Sequence, residues 1–283
     1  MPVTRRALLT AFGGTLLFPA VASASTAWSG VSVVVDDGRG GRFAHRAHEP
    51  RPLGSAVRVV HLAGYARAVS EGSLSPAERV RVAEWERFRS APDAHGDSLR
   101  HLGIRSTNGV VADDPRVFVT LADLAGVLTR FDDHAAADLL RQRLGEARLR
   151  AAAARLGWPD APVPSLLGER LRQVLGRPED PARYLTDPAL RLEVLGRSPA
   201  VPARPPSTRG AAADLHRLLR NLDHPLDISG SAVALRTHRH DGRVGTAVVL
   251  ADGDSAEFAR VATLVRSALH DPAVLREFHV TLT

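Results

Sequence analysis

The sequence predicts an α+β fold, with one antiparallel sheet built from the N- and C-terminal strands, packed by helices, and a central all-helical subdomain. Three observations carry this. Val31 to Val35 is a valine run broken by one serine, and the tail holds two more β-rich runs, Ala232 to Arg239 and Val244 to Ala251. Asp241-Gly242 between those two runs is a strong hairpin signal. From Thr120 to Leu222, by contrast, leucine and alanine recur at helical spacing. Strands at both ends with helices between them are joined most economically by pairing the terminal strands in one sheet.

In chain order, residues 1–25 read as a signal peptide or an N-terminal membrane anchor. Arg5-Arg6 precede an apolar run from Ala7 to Ala22, and Ala22-Ser23-Ala24 fits a small-residue cleavage site. Thr4-Arg5-Arg6-Ala7-Leu8-Leu9 also fits a twin-arginine export pattern. Gly13, Gly14 and Pro19 make the run a poor spanning helix. The expected localisation is membrane-associated through this segment, with secretion after cleavage as the alternative. Residues 26–283 form the folded domain. Within it, 26–75 and 211–283 make the sheet subdomain and 76–210 the helical one.

After the leader, Val31 to Val35 turns through Asp36-Asp37-Gly38-Arg39-Gly40-Gly41 and returns as a strand over Arg42 to Ala47. A helix follows from Ser55 to Gly72. Pro76 to Phe88 is a charged amphipathic stretch, and Ser90 to Asp97 is a loop rich in Ala, Pro, Asp and Gly. Leu121, Leu124, Val127 and Leu128 begin the helical block, which continues over Ala135 to Leu144, Ala147 to Leu156 and Leu166 to Leu175. Short helices broken by proline fill Pro178 to Gly196. Four prolines make Arg197 to Gly210 an irregular connector. Ala211 to Leu222 is one more helix, and Ser255 to Leu269 closes the chain as an amphipathic one.

The chain's 283 residues are 44% hydrophobic and 24% charged, ordinary for a globular protein with a proper core. The net charge of +6 comes from scattered arginine, and aromatics are 5%. With no basic block and few stacking side chains, direct nucleic-acid binding is not expected. There is no cysteine, which excludes disulfides and thiol catalysis. No cofactor is implied, and no metal: His45-x-x-His48 and His238-x-His240 lack a third ligand and read as surface histidines. Gly38, Gly40 and Gly41 precede no helix and are turn glycines, not a phosphate loop.

Everything else is arranged around Arg51-Pro52-Leu53-Gly54-Ser55-Ala56-Val57-Arg58 and the apolar run Val59 to Val69. A Pro-Gly turn delivers Ser55 to a helix start, where free backbone N–H groups suit attack on a carbonyl. The residue three positions on shares its helix face. In serine acyl-transferases of the Ser-x-x-Lys kind that residue is lysine. Here it is Arg58.

With Ser55 at its centre, this layout resembles the class A β-lactamases and the wider family of penicillin-recognising serine enzymes. The resemblance spans nearly the whole mature chain. It is strongest over Pro52 to Val82 and again over Leu121 to Gly145, where Arg130-Phe131-Asp132-Asp133-His134 is similar to the segment carrying the family's Ser-Asp-Asn motif. It implies a three-layer, β-lactamase-like α+β domain. It also implies that the active site is rewritten. The nucleophile matches Ser55 and the lysine base matches Arg58. The proton-shuttling serine matches Asp132, and the amide-holding asparagine matches His134. Asp133 alone is retained, in a structural role. The Lys-Thr-Gly motif has its best counterpart at Ile228-Ser229-Gly230, in a segment short enough that a strand is in question, with Ser231 as an oxyanion-pocket residue. Arg236 and His238, just beyond, read as solvated strand residues. Glu169-Arg170-Leu171-Arg172 is the nearest match to the family's Glu-x-x-Leu-Asn loop and lacks the asparagine.

A guanidinium stays protonated and cannot serve as a base. Arg58 and Asp132 are changed together, at positions that touch in the family, so an ion pair across the old cavity is expected, with an acidic ligand bound by Arg58 in the same cleft as the alternative. Ser55 becomes a vestigial nucleophile, and Arg58, Asp132, Asp133, His134, Ser229, Gly230 and Ser231 become a cleft for binding. The function implied is a catalytically degenerate, ligand-sensing regulator, similar to the β-lactamase-like regulatory proteins encoded beside β-lactamase genes. Its expected partners are a β-lactam or cell-wall-derived ligand and a protein in the same regulation. The alternatives are an exported serine hydrolase or acyl-transfer enzyme using Ser55, and a scaffolding protein at the cell envelope.

Overall fold

The computed structural model describes residues 28–90, 95–201, 208–222, 226–229, 233–253 and 256–282. The leader (1–25), part of the proline-rich connector, and Gly230 and Ser231 lie outside the described residues.

The first third of the chain holds β1 (Val31–Asp36), β2 (Arg42–His45), β3 (Arg51–Pro52), a 3-10 turn (Gly54–Val57), α1 (Arg58–Ser70), β4 (Arg79–Arg81), α2 (Val82–Glu86) and α3 (His95–His101). The middle holds β5 (Phe118–Thr120), α4 (Leu121–Phe131), α5 (His134–Leu144), α6 (Glu146–Arg155), α7 (Leu166–Leu175), α8 (Pro181–Thr186) and α9 (Pro188–Arg197). The last third holds β6 (Arg209–Gly210), α10 (Ala212–Asn221), β7 (Asp227–Ser229), β8 (Val233–His240), β9 (Arg243–Ala251), α11 (Ala256–His270) and α12 (Pro272–Leu282).

The main sheet runs β2-β1-β9-β8-β7 with every neighbour antiparallel, so the two ends of the chain meet at its centre. Strand alternation sorts the valines into two cores. Val31, Val33, Val35, Ala247 and Val249 pack on α11 and α12 through Phe258, Val261, Val265 and Phe278. Val34, Val248, Leu250, Val233 and Leu235 join the larger core with α10 and the helical block. Burial on both faces is why β1 and β9 read as nearly continuous apolar runs. At the β8–β9 hairpin, Asp241 and Gly242 both take positive φ (49° and 75°), as a tight turn of that type requires.

The structure differs from the sequence reading in several elements. A short helix, α3, begins within the expected 90–97 loop, and α12 extends the chain beyond the last expected helix. The middle of the chain carries a two-stranded ribbon, β4–β5, beside its helices. The strand in question at the third motif is present as β7, three residues long at the sheet edge.

Helix α1 is buried nearly all round, with Val59, Val60, Leu62 and Ala63 sealed along with Arg58 and His61. Gly72 takes φ 67° while its N–H bonds Val69 and that of Ser73 bonds Ala68, which closes the helix. Gly64 lets α1 approach α6 closely: a Cβ there would lie 2.3 Å from Leu149 Cδ2, itself fully buried. Gly64→Ala gains about 1 kcal/mol of helix propensity but overpacks at a typical cost of about 1–3 kcal/mol. The expected result in urea unfolding is a net loss of about 1 kcal/mol; a stabilised variant would show that Leu149 yields.

Candidate active site

Ser55 lies in the 3-10 turn ahead of α1, not within the α-helix itself, and is half-buried. The turn is fixed by Leu53, whose N–H bonds the Thr208 carbonyl at 2.9 Å, and by the N–H of Ala56 bonding back to Leu53 at 2.8 Å. Arg58 opens α1 and points inward, its side chain 3% exposed.

Facing them is a two-residue elbow. α4 begins with a Thr120–Asp123 capping box and ends at Asp132, which takes the left-handed conformation (φ 59°, ψ 38°). Asp133 then caps α5, accepting the Ala136 N–H at 2.9 Å. The reversal at Asp132 sends two consecutive carboxylates to different partners. Aspartate tolerates this backbone better than most residues.

Asp133 points into the core, where Trp85 Nε1 donates to it at 3.2 Å and His95 Nδ1 lies at 3.0 Å. Glu86 Oε1 stands 3.7 Å from the other nitrogen of His95. Burial alone would raise the Asp133 pKa, but the hydrogen bond and charge of His95, with the Ala136 N–H and Ser98, hold it below the usual range. This cluster fastens α2, α3 and α5 behind the site, and its role is positional.

Asp132 points toward the serine. Its Oδ2 accepts the Ser55 hydroxyl and its Oδ1 pairs with Arg58 Nη1, which also donates to the Leu128 carbonyl at 3.3 Å. His134 Nε2 lies 3.6 Å from Oδ1. Burial raises the Asp132 pKa, and the His134 hydrogen bond, the Arg58 charge and the Ser55 hydroxyl together outweigh it, so the carboxyl is held low. For Arg58, burial works against the charge and Asp132 opposes that effect. The ion pair expected from the paired substitutions is present. The hydrogen bond from Ser55 to the same carboxylate goes beyond that expectation, because aspartate at the shuttle position supplies an acceptor.

The remaining predicted residues divide. Ile228 is buried in β7, where the family pattern would place a cation; Ser229 follows it, with Gly230 and Ser231 beyond the described residues. Arg236, read as a solvated strand residue, pairs at the surface with Asp227 across β7–β8, its Nε 3.2 Å from Oδ1. His238 packs edge-on against His270, ring centroids 4.2 Å apart. His45 Nε2 meets the Trp28 carbonyl at 3.2 Å. Among the described residues no group of three His, Asp or Glu could hold a metal ion. Glu169 sits on α7 with Arg172 2.5 Å away, in a cleft of about 570 Å³ lined also by Asp138, Arg141, Ser165 and Glu179 and without Ser55. The sequence contains no lysine, its 37 permanently basic side chains all being arginine, so no lysine elsewhere can take the base's place.

A serine at a helix start, set between a helical block and a five-stranded antiparallel sheet that two further helices cover, defines a β-lactamase-like serine hydrolase fold. A sequence model of the β-lactamase enzyme family matches residues 19–225, and the chain belongs to that family. Among solved structures, the chain is similar to a β-lactamase from Sphaerobacter thermophilus, with 17% identity, 88% of this chain and 94% of the other covered, and a TM-score of 0.50. It is similar to a variant of the last common ancestor of Gram-negative class A β-lactamases, with 18% identity, 89% and 95% covered, and a TM-score of 0.52. It is also similar to a peptidoglycan synthesis regulatory factor from Streptococcus pneumoniae, with 13% identity, 83% and 72% covered, and a TM-score of 0.51. At these identities the likeness is one of fold. A search of curated proteins found no match.

Proposed function

We propose that this protein is a non-hydrolytic member of its family that binds a ligand in the Ser55 cleft and acts in regulation, governing β-lactamase production. One observation carries the reading. The carboxylate that receives the Ser55 hydroxyl is itself neutralised by a buried guanidinium, which makes it a poor acceptor for the proton. A general base works best with a pKa near the working pH and contributes about 10²- to 10⁴-fold. A carboxylate held below its ordinary value is far from that optimum. The regulatory task rests on the resemblance to β-lactamase-like regulators encoded beside β-lactamase genes, and a retained N-terminal anchor suits it.

The half-exposed Ser55 hydroxyl with its carboxylate neighbour favours a second reading, slow acyl transfer without turnover. Incubation with a reporter penicillin, followed by intact-mass measurement beside Ser55→Ala, separates the two. The expected result is no catalytic turnover, and none gained by Arg58→Lys, because Asp132 would hold the new ammonium charged. Multiple turnovers that depend on Ser55 would overturn the reading. Deleting the gene is expected to change β-lactamase production; unchanged production would remove the regulatory role.

A further inference from the structure

We propose that the Ser55 cleft is built for a ligand that presents a cationic N–H group, such as an ammonium or amidinium, and that Asp132 sets this preference. The inference rests on the reading of the site as a binding site. Ser55 donates its only proton to Asp132 Oδ2, so what the hydroxyl offers a ligand is lone pairs. Asp132 Oδ1 is buried and pairs with Arg58, and the Asp132 side chain is about 30% exposed. Both groups at the mouth are acceptors. A carboxylate arriving between Ser55 and Asp132 meets a like charge. An amidinium meets two acceptors and an opposite charge.

The nearby cations do not reverse this. Arg58 is sealed behind Asp132, so the pair presents its negative end to the cleft. Arg236 is held by Asp227, and Arg130 lies over the Phe131 ring at 5.5 Å. His134, 44% exposed, stands beside Asp132 Oδ1, on the side of the carboxylate that faces Arg58. Ile228 occupies the strand position at which the family pattern carries a lysine.

Three probes of one shape and different charge test the proposal: benzamidinium, benzamide and benzoate, titrated by calorimetry into the full-length protein at pH 7.5. Benzamidinium is expected to bind at least about tenfold more tightly than benzoate, the scale of one favourable against one unfavourable charge contact at a partly exposed site. Asp132→Asn uncovers the Arg58 charge and is expected to abolish or reverse the order. Arg58→Met leaves Asp132 without its counter-ion and is expected to widen the preference, which keeps the test decisive if Asp132→Asn fails to fold. Benzoate binding as tightly as benzamidinium, an order unmoved by the variants, or no saturable binding of benzamidinium would each overturn the proposal. Assaying the same preparations against a chromogenic β-lactam keeps the two readings apart. Turnover with the cation preference intact would sink only the non-hydrolytic reading; lost preference without turnover would sink only this one.

Discussion

Asp132→Asn is expected to destabilise the protein by about 3–5 kcal/mol, the usual cost of stranding one member of a buried ion pair. Asparagine tolerates the left-handed backbone of this position, and its one carbonyl oxygen can accept from Ser55 or from Arg58 but not from both, so the loss reports on the charge together with one hydrogen bond. Arg58→Met should cost less, about 1–2 kcal/mol, because Asp132 then turns toward water while methionine fills the guanidinium's place. The double variant is expected near the wild type, since neither charge then remains to be desolvated. Urea unfolding of the four proteins closes the cycle. Losses that add with no coupling would show that Arg58 and Asp132 are neighbours without being partners.

Acid should unfold the protein through two histidines. His61, on α1, is fully buried, and burial with the nearby Arg141 charge pushes its pKa down to about 4. His216, on α10, bonds Thr246 on β9 at 2.7 Å and is likewise lowered to about 4, by burial first and then by Arg42 and Arg220, against Asp36. Both folded-state values lie below the unfolded value of about 6.5. The unfolded chain therefore binds more protons between them, and stability is full above pH 6.5 and falls as pH drops toward 4. At about 1.4 kcal/mol per pKa unit, each histidine removes up to about 3 kcal/mol. Asp138, buried with a raised pKa, works in the opposite direction and offsets part of the loss. Urea unfolding at pH 7.5 and 4.5 should differ by about 4–5 kcal/mol. His61→Leu with His216→Gln, which keeps a partner for Thr246, should flatten the profile. An unchanged slope would place the acid sensitivity elsewhere.

Much of the architecture was legible because it is written in periods. Valine-rich runs and Asp241-Gly242 placed the terminal sheet, and leucine spacing placed α4, α5 and α7. The ribbon β4–β5 was not legible, since three-residue strands with one inward side chain, Val80 or Val119, are too short to show a period. Buried histidines were missed for a related reason. His61, His95 and His216 count as polar in any pattern of apolar residues, yet all three lie in the core. At the site, the resemblance identified Ser55, Arg58 and Asp132. The direction of the Ser55 proton needed the αL elbow, which only the three-dimensional path of α4 into α5 reveals. The network behind Asp133 likewise joins residues 85, 95 and 133, a spacing that no local pattern encodes.

The central position of β9 constrains how the molecule is made. β1 emerges from the ribosome long before β9, and Val31 must wait for Ala251 before that edge is covered. Three of the five strands lie after residue 226, so the helical block can condense long before the sheet exists. Such late, distant pairing slows folding and leaves an early valine-rich edge open to other chains. Nascent chains lacking the last sixty residues should behave as aggregation-prone helical intermediates that a holding chaperone must keep apart until the final hairpin arrives.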